Sequence, residues 1–424
     1  MTTSTFPEGF LWGAATAGHQ VEGQNTHSDV WLLEHVEGSL FAEPSGDACD
    51  SYHRWADDLD LVAGLGLNAY RFSLEWARIE PEPGEFSVAA LDHYRRVLEG
   101  CHARGLTPIV TFHHFVSPRW LLGAGGWEAP ATAERFASYC ARAMDHLGDL
   151  VGVACTLNEP NLPDLLAVLG IAGGPREGRA HVPMFAHAAQ TLGVDPATIA
   201  PFQLTASEDA FEVKLAAHRA GREAIKAVRD DLPVGWTLAN SDFHAVPGAE
   251  SVVAEVRERI NARYLVASRQ DDFVGIQTYN RTLLGVDGRP APPPEGAVLN
   301  STGEEIYPRA LESTVREAAE IAGISVYVTE NGLSTDDYAQ RVAFFREALT
   351  GVARCLADGI DVRGYVAWSL LDNYEWIFGY GPKFGIAAVD RATFERTPKP
   401  SALVLGEIAR TNGAGVEAAA SSPA

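Results

Sequence analysis

The stretch YHRWADDLDLVAGLGLNAYRFS, residues 52–73, contains one full cycle of the pattern that decides the fold. Tyr52, Trp55, Leu59 and Val62 recur at helical spacing and predict an amphipathic helix over 52–63. Gly64 and Gly66 then interrupt it, and residues 69–76 follow as a strand-like run. The unit repeats at once, with a helix over 88–103, a stop at Gly105 and a strand over 107–112.

Carried along the chain, the same reading finds apolar runs near 10–17, 69–74, 108–112, 151–157, 234–238, 273–276, 326–329 and 364–371. Strand-then-helix repetition implies parallel strands joined by right-handed crossovers, and eight strands are what a closed barrel of this kind needs. The expected fold is therefore α/β, a single (β/α)8 TIM barrel with elaborated βα loops at the carboxyl ends of the strands. It is expected to span 1–411 as one catalytic domain, with 412–424 as a flexible C-terminal tail. The length, 424 residues, suits one barrel, a fold that runs from roughly 200 to more than 400 residues.

Hydrophobic residues make up 46% of the chain and charged residues 21%, as in a globular protein with a large core. Asp and Glu number 56 against 33 Lys and Arg, a formal net charge of -23 that repels phosphate backbones and anionic lipid. Neither nucleic acid nor membrane is an expected partner, and a neutral small molecule fits the balance. Cys49, Cys101, Cys140, Cys155 and Cys355 show no paired metal or redox spacing, which points to reduced thiols. Residues 1–10 lack the pattern of a secretory signal, and no apolar stretch approaches the roughly 20 residues of a membrane span. A cytoplasmic setting is expected.

Active sites of such barrels form where the strands end. The polar residues found there are Gln20, Arg71, His114, Asn158 with Glu159, Asp242 with His244, Tyr279, Glu330, and Trp368 with Glu375. Two of these ends carry a carboxylate in a short polar motif: Asn158, Glu159 and Pro160 after 153–157, and Glu330, Asn331 and Gly332 after 326–329. Taken singly, Asn158 and Pro160 also read as a helix start, and Asn331 and Gly332 as turn formers. Taken together, they lie on the fourth and seventh strands, which a barrel returns to one rim. A carboxylate pair at such a rim can protonate a leaving oxygen and attack, or activate water.

His113 and His114 have no metal-ligand spacing with a partner carboxylate, and neighbours on a strand face opposite sides, so no metal is expected. His113 then reads as a packing residue. Two long connections, 170–208 and 285–303, read either as walls of a substrate mouth or as surface elaboration.

Three groups of motifs carry a family likeness. The first is Phe6, Pro7, Phe10, Trp12, Gly13, Ala14, Ala15, Thr16 and Ala17 leading to Gln20, Glu22 and Gly23, with Tyr70, Arg71, Phe72 and Ser73 after it. The second is the two glutamate motifs. The third is Trp368, Ser369, Leu370, Asp372, Asn373, Glu375 and Trp376, then Gly379, Tyr380, Phe384 and Gly385. In this order they resemble the family 1 glycoside hydrolases, the β-glucosidase and β-galactosidase group, nearly end to end.

The resemblance implies an exo-acting β-glycosidase that needs no cofactor and removes a terminal hexose from small glycosides with retention of configuration. It implies Glu159 as acid/base and Glu330 as nucleophile, with carboxyl groups about 5 to 5.5 Å apart. Arg71 and Tyr279 match positions beside the nucleophile that hold it ionised, although Arg71 also reads as a structural ion-pair member. Asn158 matches the donor to the hydroxyl next to the reacting carbon. Gln20, His114, Glu375 and Trp376 match residues that grip the other hydroxyls, over an apolar floor at Trp368. A transglycosidase using the same intermediate, and a sugar-binding barrel without catalysis, are the rival readings.

Some positions depart from the family. Residues 113–118 read His, His, Phe, Val, Ser, Pro where the family shows Tyr, His, Trp, Asp, Leu, Pro, and the motif with Asn and two tyrosines is Gln277, Thr278 and Tyr279. Glu304 stands where many relatives carry a tryptophan that lines the leaving-group subsite. That exchange suggests a polar or positively charged leaving group. Glu375, an acid where members acting on 6-phosphorylated sugars differ, favours unphosphorylated glycosides.

Overall fold

The computed structural model describes residues 6–171 and 176–416. Eight parallel strands close into a barrel: β1 (Leu11–Ala15), β2 (Ala69–Ser73), β3 (Thr107–His113), β4 (Val153–Asn158), β5 (Val234–Ala239), β6 (Phe273–Gln277), β7 (Ser325–Asn331) and β8 (Val362–Trp368). Each pairs with its sequence neighbours, and β1 pairs with both β2 and β8 to complete the ring. Every run read from the sequence overlaps one of these strands, with ends that differ by up to three residues. Helices fill the connections, as a parallel barrel requires.

The expected helix over 52–63 is Ser51–Leu65, with Leu59 and Val62 buried on the face read from its periodicity. It runs through Gly64 and ends at Gly66, whose φ of 84° is a left-handed conformation that glycine adopts without strain. The second helix is Val88–Ala103, as its pattern predicts.

Two cores result. Ala15, Ala69, Ile109, Val153, Cys155 and Phe273 belong to a cluster inside the barrel, where strand side chains alternate inward. A larger cluster, including Leu59, Val62, Leu98, Phe136 and Phe345, sits between the strands and the helical ring. The five cysteines are buried and unpaired. Among the described residues, no helix is long and apolar enough to cross a membrane.

Beyond the barrel rim, Asp242–Ala245 pairs with Arg281–Leu284, extending the chain after β5 and β6 over the carboxyl-end face. At the opposite end of the chain, part of the stretch assigned to a tail is packed. Asn412 accepts from Trp12 Nε1 at 3.0 Å and donates to Phe6 O at 3.0 Å, and Val416 is buried. A tail boundary at 412 is thus too early, because polar contacts tie this segment to the first strand. The remainder of that expected tail, 417–424, lies outside the described residues.

Candidate active site

The strand ends surround one cavity of about 550 Å3. Gln20, His114, Glu159, Tyr279, Glu330, Trp368, Glu375 and Trp376 all line it, with Glu304 at its mouth. Arg71 and Asn158 lie beneath them, fully buried. Asp242 and His244 bond to each other at 2.9 Å and are not part of the lining.

Glu330, near the end of β7, is held on both carboxylate oxygens. Oε1 accepts from Arg71 Nη1 at 2.5 Å and from Gln277 Nε2 at 2.9 Å, and Oε2 accepts from the Tyr279 hydroxyl at 2.5 Å. Arg71, from β2, crosses the barrel interior to do this, and its Nη2 also reaches Asn158 Oδ1 at 2.6 Å. The structural ion-pair reading of Arg71 and its role beside Glu330 therefore describe one contact.

Asn158 does not cap a helix. Its Oδ1 accepts from Arg71, from Thr237 Oγ1 at 3.0 Å and from Gln277 Nε2 at 2.9 Å, while its buried Nδ2 has no partner among the described residues. The following helix, Leu162–Val168, begins after Asn161, which also makes no side-chain cap bond. The turn reading of Gly332 needs a similar correction: a β-carbon there would lie 1.9 Å from Trp368 O, so glycine is required by the close approach of two strand ends.

Glu159 lies one residue past β4 in a left-handed conformation, φ 47°, with its amide donating to Thr237 O at 2.7 Å. Phe115 and Trp376, also in the lining, share such positive φ values, 68° and 52°. Non-glycine residues in this region carry local strain, a feature that concentrates at functional sites. No side chain among the described residues bonds to the Glu159 carboxyl.

This asymmetry separates the two acids electrostatically. Burial raises both carboxyls above their ordinary value. At Glu330 the Arg71 guanidinium and the Tyr279 hydroxyl oppose that rise. At Glu159 the neighbouring Glu330 charge adds to it, and it climbs much further. The upward shift is thus the larger at Glu159 and the smaller at Glu330.

Other polar groups wait around the pair. Gln20 donates through Nε2 to Tyr374 O at 2.7 Å and Asn373 Oδ1 at 3.1 Å, leaving its buried Oε1 without a partner among the described residues. His114 stacks on Trp368 with centroids 5.7 Å apart, and burial keeps its imidazole well below its usual pKa and neutral. His113 packs against Trp127 and Phe202 and bonds to Ser117 Oγ, the packing role read for it. Burial and the nearby Glu330 charge push the Glu375 carboxyl up to about 8.

At the mouth, Glu304 is exposed, and its Oε2 accepts from Asn300 Nδ2 and Thr302 Oγ1, each at 3.0 Å. Both long connections reach the cavity, through Ile171, Gln203 and Leu204 of one and Pro290, Asn300 and Thr302 of the other. In the sequence Gln277 stands out only as a departure from the family motif, yet its Nε2 binds Glu330 and Asn158 together. Leu162, Leu165, Leu166 and Leu169 also belong to the lining, although leucines at helical spacing read as a core face.

The sequence model of glycosyl hydrolase family 1 matches residues 2–191 and 294–414. Thermostable beta-glucosidase B of Thermobispora bispora is 34% identical over 446 residues, covering 96% of this chain and 91% of that protein. Beta-glucosidase A of Thermotoga maritima is 30% identical, covering 97% and 99%. Among solved structures, beta-glycosidase BGL167 superposes with a TM-score of 0.95 at 65% identity, covering 99% of this chain and all of that one. The Thermotoga maritima beta-glucosidase in complex with noeuromycin gives a TM-score of 0.83 at 27% identity, covering 96% and 99%. With the motifs, the closed barrel and the paired carboxyls in agreement, the chain belongs to glycosyl hydrolase family 1 and is a glycoside hydrolase of the β-glucosidase type.

Proposed function

We propose that this enzyme removes a terminal, nonreducing β-linked hexose from small glycosides, with retention, through a covalent glycosyl-enzyme intermediate. The observation that carries the reading is the unequal treatment of the two buried carboxyls: among the described residues, three side-chain donors grip Glu330 and none grips Glu159. Glu330 attacks the anomeric carbon as the bond to the leaving oxygen breaks, and Glu159 delivers its proton to that oxygen. In the second half, Glu159 takes a proton from water, the water oxygen bonds to the anomeric carbon, and the bond to Glu330 breaks. Both carboxyls return to their starting states.

The free Nδ2 of Asn158 supports its role as donor to the hydroxyl beside the reacting carbon, where the contact strengthens as charge develops. Gln20 Oε1, His114 and Glu375 supply further partners for hydroxyls, with Trp368 as the apolar floor. Glu375 also supports a preference for unphosphorylated sugars, since a buried acid with no neighbouring cation among the described residues gives a phosphate no compensation. The buried, unpaired cysteines support a reducing, cytoplasmic setting.

A screen of 4-nitrophenyl β-glycosides against the wild type and Glu330→Ala tests the reading. Turnover with initial release of the β-anomer is expected from the wild type alone. Activity that survives the substitution, or an α-anomer released first, would sink it.

A further inference from the structure

Because no side chain among the described residues bonds to the Glu159 carboxyl, its aim is set by the backbone beneath it, which holds a left-handed conformation at φ 47°. Three contacts fix that turn. Glu159 N donates to Thr237 O at 2.7 Å, Glu159 O accepts from Leu162 N at 3.0 Å, and Pro160 O accepts from Lys214 Nζ at 3.2 Å. The Tyr264 hydroxyl reaches the same Pro160 oxygen only at 3.5 Å and makes its shorter bond, 2.9 Å, to Asp164.

Lys214 is an unusual occupant of its position. It lies in the helix Glu208–Val228, only 2% exposed, on the buried face that also carries Ala210, Val213, Ala217 and Gly221. An apolar residue suits such a face. Its Nζ has no carboxylate in salt-bridge contact among the described residues; besides Pro160 O it donates to Thr205 O at 3.4 Å and rests 4.5 Å from the centroid of the Phe202 ring. Burial pushes its ammonium down to about 7, against the attraction of Asp164 and Glu128. An amine withdrawn from water on these terms is a costly substitute for hydrocarbon. Phe202 in turn packs against Phe115, 6.1 Å away and part of the cavity wall.

We infer that Lys214 is a positioning residue for the proton transfer: by holding the Pro160 carbonyl it keeps the Glu159 carboxyl aimed at the leaving oxygen, without itself touching substrate. This rests on the glycosidase reading above and adds a residue that acts through Glu159. Lys214 is not part of the cavity lining, so its replacement leaves the sugar-gripping groups in place. The consequence is selective. A leaving group that departs readily as an anion needs no proton from Glu159 in the first step, whereas a basic leaving oxygen does.

The test compares kcat/KM, which reports the glycosylation step, for 2,4-dinitrophenyl and phenyl β-D-glucoside in the wild type, Lys214→Met and Glu159→Ala. In Glu159→Ala, phenyl glucoside hydrolysis is expected to fall at least about a hundredfold more than that of the dinitrophenyl compound. In Lys214→Met the same split is expected at about tenfold, with the dinitrophenyl substrate nearly unaffected. Equal losses on both substrates, or no loss, in Lys214→Met beside a split in Glu159→Ala overturn the inference while the glycosidase reading stands. Should Lys214→Met not fold by circular dichroism, Phe202→Leu, which removes the ring seating the ammonium, is read by the same ratio: a split in the same direction supports the inference and equal losses overturn it. No split in Glu159→Ala, or no hydrolysis by the wild type, overturns the reading of Glu159 as the acid, and the inference with it.

Discussion

Arg71 and Glu330, 259 positions apart on β2 and β7, meet inside the barrel with Nη1 2.5 Å from Oε1. Both side chains are almost wholly withdrawn from water. A buried charge pair of this kind costs little while intact and a great deal when one member is removed. Arg71→Met should therefore destabilise the fold by about 3–5 kcal/mol above neutral pH. It should also raise the Glu330 carboxyl further, so the acidic limb of kcat/KM moves to higher pH. A melting curve and a pH profile together check this.

The roles of the two glutamates can be separated by product stereochemistry. With Glu330→Gly, an added azide ion takes the place of the missing nucleophile and gives the α-glycosyl azide from an activated β-glycoside. With Glu159→Ala, the glycosyl-enzyme still forms, and azide attacks it from the other face to give the β-glycosyl azide. Swapped anomers, read by NMR, would reverse the assignment.

The pH dependence follows from the direction of the shifts. The proposed mechanism requires Glu330 ionised and Glu159 protonated, so kcat/KM should fall on the acid side through the raised value of Glu330 and on the alkaline side through the higher one of Glu159. For stability, a carboxyl raised in the folded state contributes fully below its ordinary value of 4.5 and loses that contribution as pH rises through the folded value. Glu159→Gln should thus melt progressively higher than the wild type as pH increases, with little difference near pH 4. A constant difference in melting temperature would contradict the proton assignment.

Gln277 tests whether the departure from the family motif matters. Its Nε2 serves Glu330 and Asn158 at once, each at 2.9 Å, and bonds to charged groups contribute about 1.5–3 kcal/mol. Gln277→Leu should lower kcat/KM about 10- to 100-fold and shift the acidic limb upward, since one donor to the Glu330 carboxylate is gone. An unchanged profile would limit Gln277 to packing.

Gly332→Ala places a methyl 1.9 Å from Trp368 O, where backbone must move on one of two barrel strands. A loss of about 1–3 kcal/mol or more is expected, with activity falling because Trp368 and Glu330 flank the contact. Thermal unfolding beside a kinetic assay measures both.

How much of this was legible in the chain varies with the range of the interaction. Strands and helices were readable because hydrophobic periodicity is local: the face of Ser51–Leu65 and the bounds of Val88–Ala103 are written in consecutive residues. The eight runs and their order then specified a barrel, since parallel strands with right-handed crossovers have few other ways to close. Glu159 and Glu330 were readable as strand-end carboxylates, and the family motifs named their partners.

What needed the tertiary structure was every choice that depends on which side chain faces what. The sequence of Asn158, Glu159 and Pro160 suits a helix cap as well as an active site, and only the arrival of Arg71, Thr237 and Gln277 from other strands commits Asn158 Oδ1 to the second. Glycine at 332 suits a turn until Trp368 O is seen against it. The leucines of 162–169 have core spacing, and the space they face is settled by the closure of the barrel around them. Pattern along a chain determines which faces are apolar; the fold alone determines whether such a face meets protein or substrate.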